Sequence, residues 1–324
     1  MAGGETQRAP VNYFELLSGL CARYQGYEQI KILAGPGGPE WCSPTLLGDV
    51  AEAARELDIG VHIHVLESPM QRELSGKHGG NNTIAGVEQL GLLGPRTSIA
   101  HAAWFNDDDM RRCVNNDTSV VHNPSSNLKL RNGIAPVARM LELGVNVALG
   151  CDSTALNCDD DLLQEARLAN YRHRSAAPSA LSPCPSARDV LKMATVNAGA
   201  PTNFGNDIGT LEVGSYADAV LVDYEALSAP NLDPDLDPAE VLITLANHRH
   251  VDTVMVGGEV AVQNGQHVSL NEDEICAQLA ESICDQPARR EVAKHLRKHL
   301  HNYYAREYSG ISQSPYYSVN SAIG

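Results

Sequence analysis

The stretch Val61-His62-Ile63-His64-Val65-Leu66-Glu67 decides how this chain is read. It is a short apolar run carrying two histidines and closed by a carboxylate. That is the form of a buried strand whose polar groups gather near its C-terminal end. The segment before it reads as an amphipathic helix. Ser43 suits the N-cap, Pro44 the first helical position, Leu46, Val50, Ala54 and Leu57 share one face, and Gly60 is expected to end it.

Working outward, four more short apolar runs have the same character: Ile30–Ala34, Thr97–His101, Ser119–His122 and Asn146–Gly150. Amphipathic segments separate them from about residue 10 to 200, the cadence of βα units around a parallel sheet or barrel. A helix is expected from Ser186 to about Asn197, and the composition changes at Gly205 to polar turns and short β-rich runs. Thr210–Asp223 and Val251–His267 read as strands of a small β domain, the latter with turns at Gly257-Gly258 and Asn264-Gly265. From Glu272 to about Arg306, Ile275, Leu279 and Ile283 recur at helical spacing. The chain therefore divides into an α/β unit over 1–204, a small β domain over 205–270, and a helix with a frayed tail over 271–324.

A chain of 324 residues with 43% hydrophobic content can bury one large core and a smaller one. Its 40 acidic and 24 basic residues, net charge −16, repel phosphate backbones and anionic membranes, so neither nucleic acid nor a membrane is expected as a partner. Eight cysteines form no C-x-x-C pair, which argues against a zinc knuckle or disulfide framework and for reduced thiols. Neither a basic flank before an apolar stretch nor a run of eighteen apolar residues occurs, and a soluble cytoplasmic protein is expected.

The chemistry-bearing residues stand at strand ends, where barrel enzymes assemble their sites. His64 and Glu67 close the second run, His101 the third, His122 and Asn123 the fourth, and Asp152 follows the fifth. Imidazoles and a carboxylate converging there suit a divalent metal, with a further carboxylate and imidazole to move a proton. Taken singly, each has a plainer reading: a histidine that packs at a strand end, or an aspartate that caps a turn. His62 reads as a satisfied core histidine, and His78, His248, His250, His295, His299 and His301 as surface groups. The loop Gly35-Pro36-Gly37-Gly38-Pro39 lacks the G-x-G-x-x-G spacing of a dinucleotide site.

The runs HIHVLES (62–68), SIAHAAW (98–104), HNPSSNLKLRNGIAP (122–136) and ALGCDS (148–153), in this order, resemble the amidohydrolase superfamily. The likeness is to its cytosine-deaminase-like branch, with atrazine chlorohydrolase and S-adenosylhomocysteine deaminase. IGTLEVGSYADAVLVD (208–223) and VMVGGEVAVQNG (254–265) resemble segments that follow the barrel in that family. The resemblance implies a (β/α)8-type barrel of which strands four to eight are present, joined to a small β-sandwich-like domain. It implies a hydrolase acting on non-peptide C–N bonds of a small heterocyclic substrate, by deamination or a related hydrolysis. One divalent metal is implied, zinc or iron, held by His64 and Asp152. Asp152 would also take a proton from water, Glu67 would protonate a ring nitrogen or leaving group, and His101 would polarise the substrate. Gly37, Asn123 and Asn127 would lie in loops near the substrate, as would Ser126.

Two departures from the pattern stand out. The family's first strand ends in a His-x-His pair of metal ligands, and no histidine precedes His62 here. Three βα units, on the order of 90 residues, are missing by the same matching. The chain is then a piece of a longer product, a chain completed by another copy or partner, or a non-catalytic homologue that cannot hold metal alone. In the purine-nucleoside deaminases of the branch a histidine reads the ligand at the position matching Gly37, which disfavours adenosine-type substrates here and leaves a triazine, pyrimidine or oxidised purine ring open.

Overall fold

The computed structural model describes residues 12–75, 83–153, 160–173, 184–228, 233 and 235–283, with 292, 294–297, 299, 300, 302 and 306 beyond them. Its first part runs α1 (Tyr13–Arg23), β1 (Leu33–Gly37), α2 (Pro44–Glu56), β2 (Gly60–Val65), α3 (Pro69–Ser75), α4 (Ile84–Gln89), β3 (Thr97–His101) and α5 (Asp107–Asn115). It continues through β4 (Ser119–His122), α6 (Pro124–Lys129), α7 (Val137–Leu143), β5 (Val147–Leu149), α8 (Leu162–Arg172) and α9 (Ala187–Ala194). The five strands form one parallel sheet in the order β1-β2-β3-β4-β5, as the βα cadence predicts.

Alternation of the buried strands sorts their side chains. Ile63 and Val65 of β2, Ile99 of β3, Val120 of β4 and Val147 of β5 join Leu47, Val50 and Ala54 of α2 and Met110, Met140, Val190 and Met193 of later helices in one core. Each fully buried aliphatic or Met side chain of this kind contributes about 1.5–3 kcal/mol relative to exposure. Cys113 belongs to that core too; burial pushes its thiol up to about 12, so it packs as an apolar group.

The cap read at Ser43 is present, its side chain accepting from Leu46 N at 3.1 Å with Pro44 opening the helix. Gly60 does not end α2. The helix stops at Glu56, Asp58 takes φ 55°, and Gly60 begins β2, where a Cβ would lie 2.6 Å from Arg96 O. The first strand also lies later than its apolar content suggests, over Leu33–Gly37 rather than Ile30–Ala34, because pairing with β2 sets its span. Ile30 is held instead in a turn on Tyr27 O. The helix expected to reach Asn197 ends at Ala194 and passes into a 3-10 turn, Val196–Ala198. The fifth strand is one residue shorter at each end than expected.

After α9 come β6 (Ala219–Val222), α10 (Tyr224–Ser228), α11 (Pro238–Leu245), β7 (Val251–Val256), β8 (Glu259–Gln263), β9 (Gln266–His267) and α12 (Glu272–Ile283). A second, antiparallel sheet follows the order β6-β7-β8-β9. Its two hairpins turn at Gly257-Gly258 (φ 56° and 88°) and Asn264-Gly265 (φ 52° and 70°), both central residues left-handed as such tight turns require. Of the strand expected over Thr210–Asp223, only Ala219–Val222 forms. Gly214 at φ 104° and the bond from Ser215 N to Glu212 O fold the rest into turns. The final helix is described to Ile283; most of its expected extension to Arg306 lies outside the described residues, as do His78 and His301. Among the described residues no helix is long and apolar enough to cross a membrane.

Candidate metal and acid–base site

At the C-terminal rim of the parallel sheet, plain strand alternation breaks down. His101 takes φ 71°, Ala102 50°, Leu66 55°, Asp152 59° and Ser153 89°, all in the left-handed region where non-glycine residues are uncommon. Such conformations cost on the order of 1–3 kcal/mol each and persist where the surroundings over-determine them. The consequence is directional. The register pairs His101 with Val65, and Val65 is buried on the side away from His64. With its left-handed φ, His101 leaves that alternation, and its ring lies 5.2 Å from that of His64.

His64, His101 and Asp152 each offer a ligand atom within 4.8 Å of one another. The imidazole Nδ1 of His64 donates to the carbonyl of Gly37 at 3.0 Å, which leaves Nε2 as the nitrogen available to a ligand. His101 is arranged in the same way, its Nδ1 donating to Asn127 Oδ1 at 3.0 Å. Its Nε2 stands 3.7 Å from Glu67 Oε1 and 3.9 Å from Asp152 Oδ2, too far for direct hydrogen bonds. Burial pushes the His101 imidazole below its ordinary value, with the carboxylates of Glu67 and Asp152 pushing back. Two imidazoles fixed through Nδ1 and one carboxylate are a donor set that fits a divalent metal with room for further ligands.

One segment supports all three titratable partners. Ser126 Oγ donates to Asp152 Oδ2, Asn127 Oδ1 accepts from His101, and Asn132 Nδ2 donates to Glu67 Oε1 at 2.6 Å. Ser126, Asn127 and Asn132 are all buried. Asn123 is buried beside them, its Oδ1 2.5 Å from where a Cβ on Gly150 would stand, so only glycine fits there. Gly37, at φ 84° on the end of β1, meets the site through its carbonyl. The structure thus brings together His64, Glu67, His101, Asp152, Asn123, Asn127 and Gly37.

Asn132, Gln71 and Glu40 escaped the sequence reading. Gln71 Oε1 accepts from the amides of Glu67 and Ser68, and its Nε2 donates to Glu40. Burial raises the Glu40 carboxyl above its ordinary value, and the nearby charge of Glu67 adds to this. The one available signal was the N-G pair at Asn132-Gly133, a turn signature that places a polar side chain on a loop. His62 stands apart from the triad: its Nδ1 is 2.7 Å from Ser98 Oγ, as a satisfied core histidine should be. His122, on the fourth strand end, does not join the site; its ring lies 5.5 Å from that of His173.

A parallel α/β sheet whose C-terminal rim gathers two imidazoles and a carboxylate is the arrangement of a metal-dependent barrel enzyme. The chain belongs to the amidohydrolase family, whose pattern matches residues 26–261. It is similar to a 5'-deoxyadenosine deaminase of Methanosarcina acetivorans, 38% identical over 249 residues, which are 76% of this chain and 56% of that protein. A 5-methylthioadenosine/S-adenosylhomocysteine deaminase of Caldanaerobacter subterraneus is 37% identical over 72% of this chain and 53% of its own length. Among solved structures, a zinc-bound adenosine deaminase from Xanthomonas campestris superposes with a TM-score of 0.77 at 27% identity, covering 83% of this chain and 60% of that one. An atrazine chlorohydrolase from Arthrobacter aurescens, complexed with zinc, gives 0.75 at 26% identity over 83% and 59%. The chain thus spans a little over half the length of these relatives.

Proposed function

We propose that this chain carries the acid–base centre of a zinc-dependent hydrolase that deaminates an aminated heterocycle. The observation that carries the reading is the convergence of His64, His101 and Asp152 within 4.8 Å, with Glu67 beside them. His64 and Asp152 would hold the metal, with His101 facing the same point. A divalent metal held there would supply a water of lowered pKa.

The chain's own groups then account for the proton movements. Asp152, steadied by Ser126, accepts a proton from the attacking water. His101, kept neutral by burial, presents Nε2 to the oxygen that adds to the ring carbon. Glu67, with Oε1 engaged by Asn132, delivers a proton to the neighbouring ring nitrogen through its other oxygen; the proton taken up by Asp152 passes to the amino group, which leaves as ammonia, and the proton of the added hydroxyl reprotonates Glu67. The relatives named for 5'-deoxyadenosine and for methylthioadenosine or S-adenosylhomocysteine make an adenine ring the first substrate to test.

The test is to purify the chain, measure bound zinc and iron, and assay ammonia release from 5'-deoxyadenosine and a panel of aminated purines, pyrimidines and triazines. Stoichiometric zinc with turnover is the expected result. Metal that binds only once a segment bearing a His-x-His pair is supplied would show that the chain works only as part of an assembly. Bound metal without ammonia release from any ring would overturn the reading.

A further inference from the structure

The turn that follows β1 is fastened at several points. Gly37 O accepts from His64, Trp41 N and Cys42 N both donate to Gly38 O at 3.1 and 3.2 Å, and Cys42 Sγ donates to Pro36 O. Glu40, between them, is tied to Gln71. A Cβ on Gly38 would stand 3.0 Å from His64 O, so the turn lies against the end of β2. On this fixed turn sits Trp41, a large apolar side chain that is 66% exposed.

Its ring centroid is 6.2 Å from that of His64, with the planes at 65°, and its Cε3 lies 3.5 Å from where a Cβ on Gly37 would be. The indole therefore stands as a wall beside the metal-capable triad. Trp104, the other tryptophan of the sequence, is used differently: its Nε1 donates to Asn132 O and its ring packs on Gly133. An exposed indole on an already ordered turn beside the candidate site offers a π-face to a flat ring without further ordering of the backbone.

We propose that Trp41 is the stacking platform for the heteroaromatic ring of the substrate and so selects planar aromatic rings over saturated cyclic amides. The proposal rests on the deaminase reading above for its substrate class. Binding alone suffices to test it.

The full chain, loaded with zinc, is titrated calorimetrically with 5'-deoxyadenosine, with atrazine and with a saturated lactam, alongside Trp41→Phe and Trp41→Leu. Binding of the two aromatic ligands should quench tryptophan fluorescence in the unsubstituted chain. Trp41→Leu should weaken both by about tenfold or more, given what base-on-aromatic stacking is worth, and Trp41→Phe should retain most of the affinity. Equal affinity in Trp41→Leu, or no aromatic binding by the unsubstituted chain, overturns the proposal. If the binding pattern holds while no ammonia is released, stacking stands and the deaminase reading falls. If ammonia is released with an unchanged KM in Trp41→Leu, the deaminase reading stands and the stacking proposal falls.

Discussion

Two pairs of histidines lie at nearly the same spacing, the half-buried His64 with the buried His101 at 5.2 Å between rings and the buried His122 with His173 at 5.5 Å. The first pair is oriented: each Nδ1 is tied to an amide oxygen, and carboxylates stand 3.7 and 3.9 Å from His101 Nε2. Around the second pair, burial dominates. Neither ring nitrogen of His122 has a hydrogen-bond partner among the described residues, and burial holds its imidazole well below the ordinary value. His173 is pushed down to about 4 by burial and then by the charge of Arg172. Burial alone makes a histidine neutral. Carboxylates beside His101 Nε2, with the Nδ1 of each ring held, let the first pair take part in proton and metal chemistry.

The sharpest way to break this contrast is to remove the carboxylate that stands beside the first pair. Glu67→Gln keeps the shape and takes away the proton, so kcat should fall by about a thousandfold while metal content and secondary structure stay unchanged. Steady-state ammonia release checks it. Turnover that survives the substitution would leave the oriented pair with no acid beside it and would sink the mechanism.

The second pair should be legible in stability rather than in activity. His173 has its ordinary value near 6.5 when unfolded and about 4 when folded, so between those values the unfolded chain binds more protons. Stability is then fully present above pH 6.5 and falls as the pH drops toward 4, by up to about 3 kcal/mol from this group. Urea midpoints measured across that window should fall less steeply for His173→Gln than for the unsubstituted chain. Parallel slopes would show that His173 does not couple folding to protons.

These contrasts also mark what the sequence disclosed. Thr97–His101 and Ser119–His122 were readable to the residue because short β-branched runs between helices admit few other conformations. The cap at Ser43 was readable because capping is local. The left-handed turn of His101 was not, since it breaks the alternation on which strand reading depends. Asn132 was hidden for another reason: its side chain reaches Glu67 across 65 residues, a contact made only when the loops after β2 and α6 are brought together. The start of β1 was misplaced because pairing with β2, a tertiary event, outranked the local apolar content of Ile30 and Ile32.

Asn132 supplies a finer test of orientation. Asn132→Ala frees Glu67 Oε1 without removing the acid, so kcat should fall by about tenfold with KM little changed, roughly the loss of one hydrogen bond. Asn132→Asp should not rescue it, because a carboxylate cannot donate to Glu67 Oε1. A KM effect as large as the kcat effect would place Asn132 on the substrate instead of on Glu67.

His62 supplies the smallest effect and the cleanest control. It is buried deeply enough to hold its imidazole below the ordinary value, it is 6.2 Å from His64 ring to ring, and its partner is a hydroxyl, that of Ser98. Ser98 is itself fully buried on β3, so Ser98→Ala leaves His62 Nδ1 unsatisfied and should cost about 1–2 kcal/mol of folding stability. If anchoring by a neutral hydroxyl is purely structural, metal content and kcat should not move with it. A loss of bound metal in Ser98→Ala would mean that His62 helps hold the ion with His64, and the division between oriented and merely buried histidines would have to be redrawn one layer deeper in the sheet.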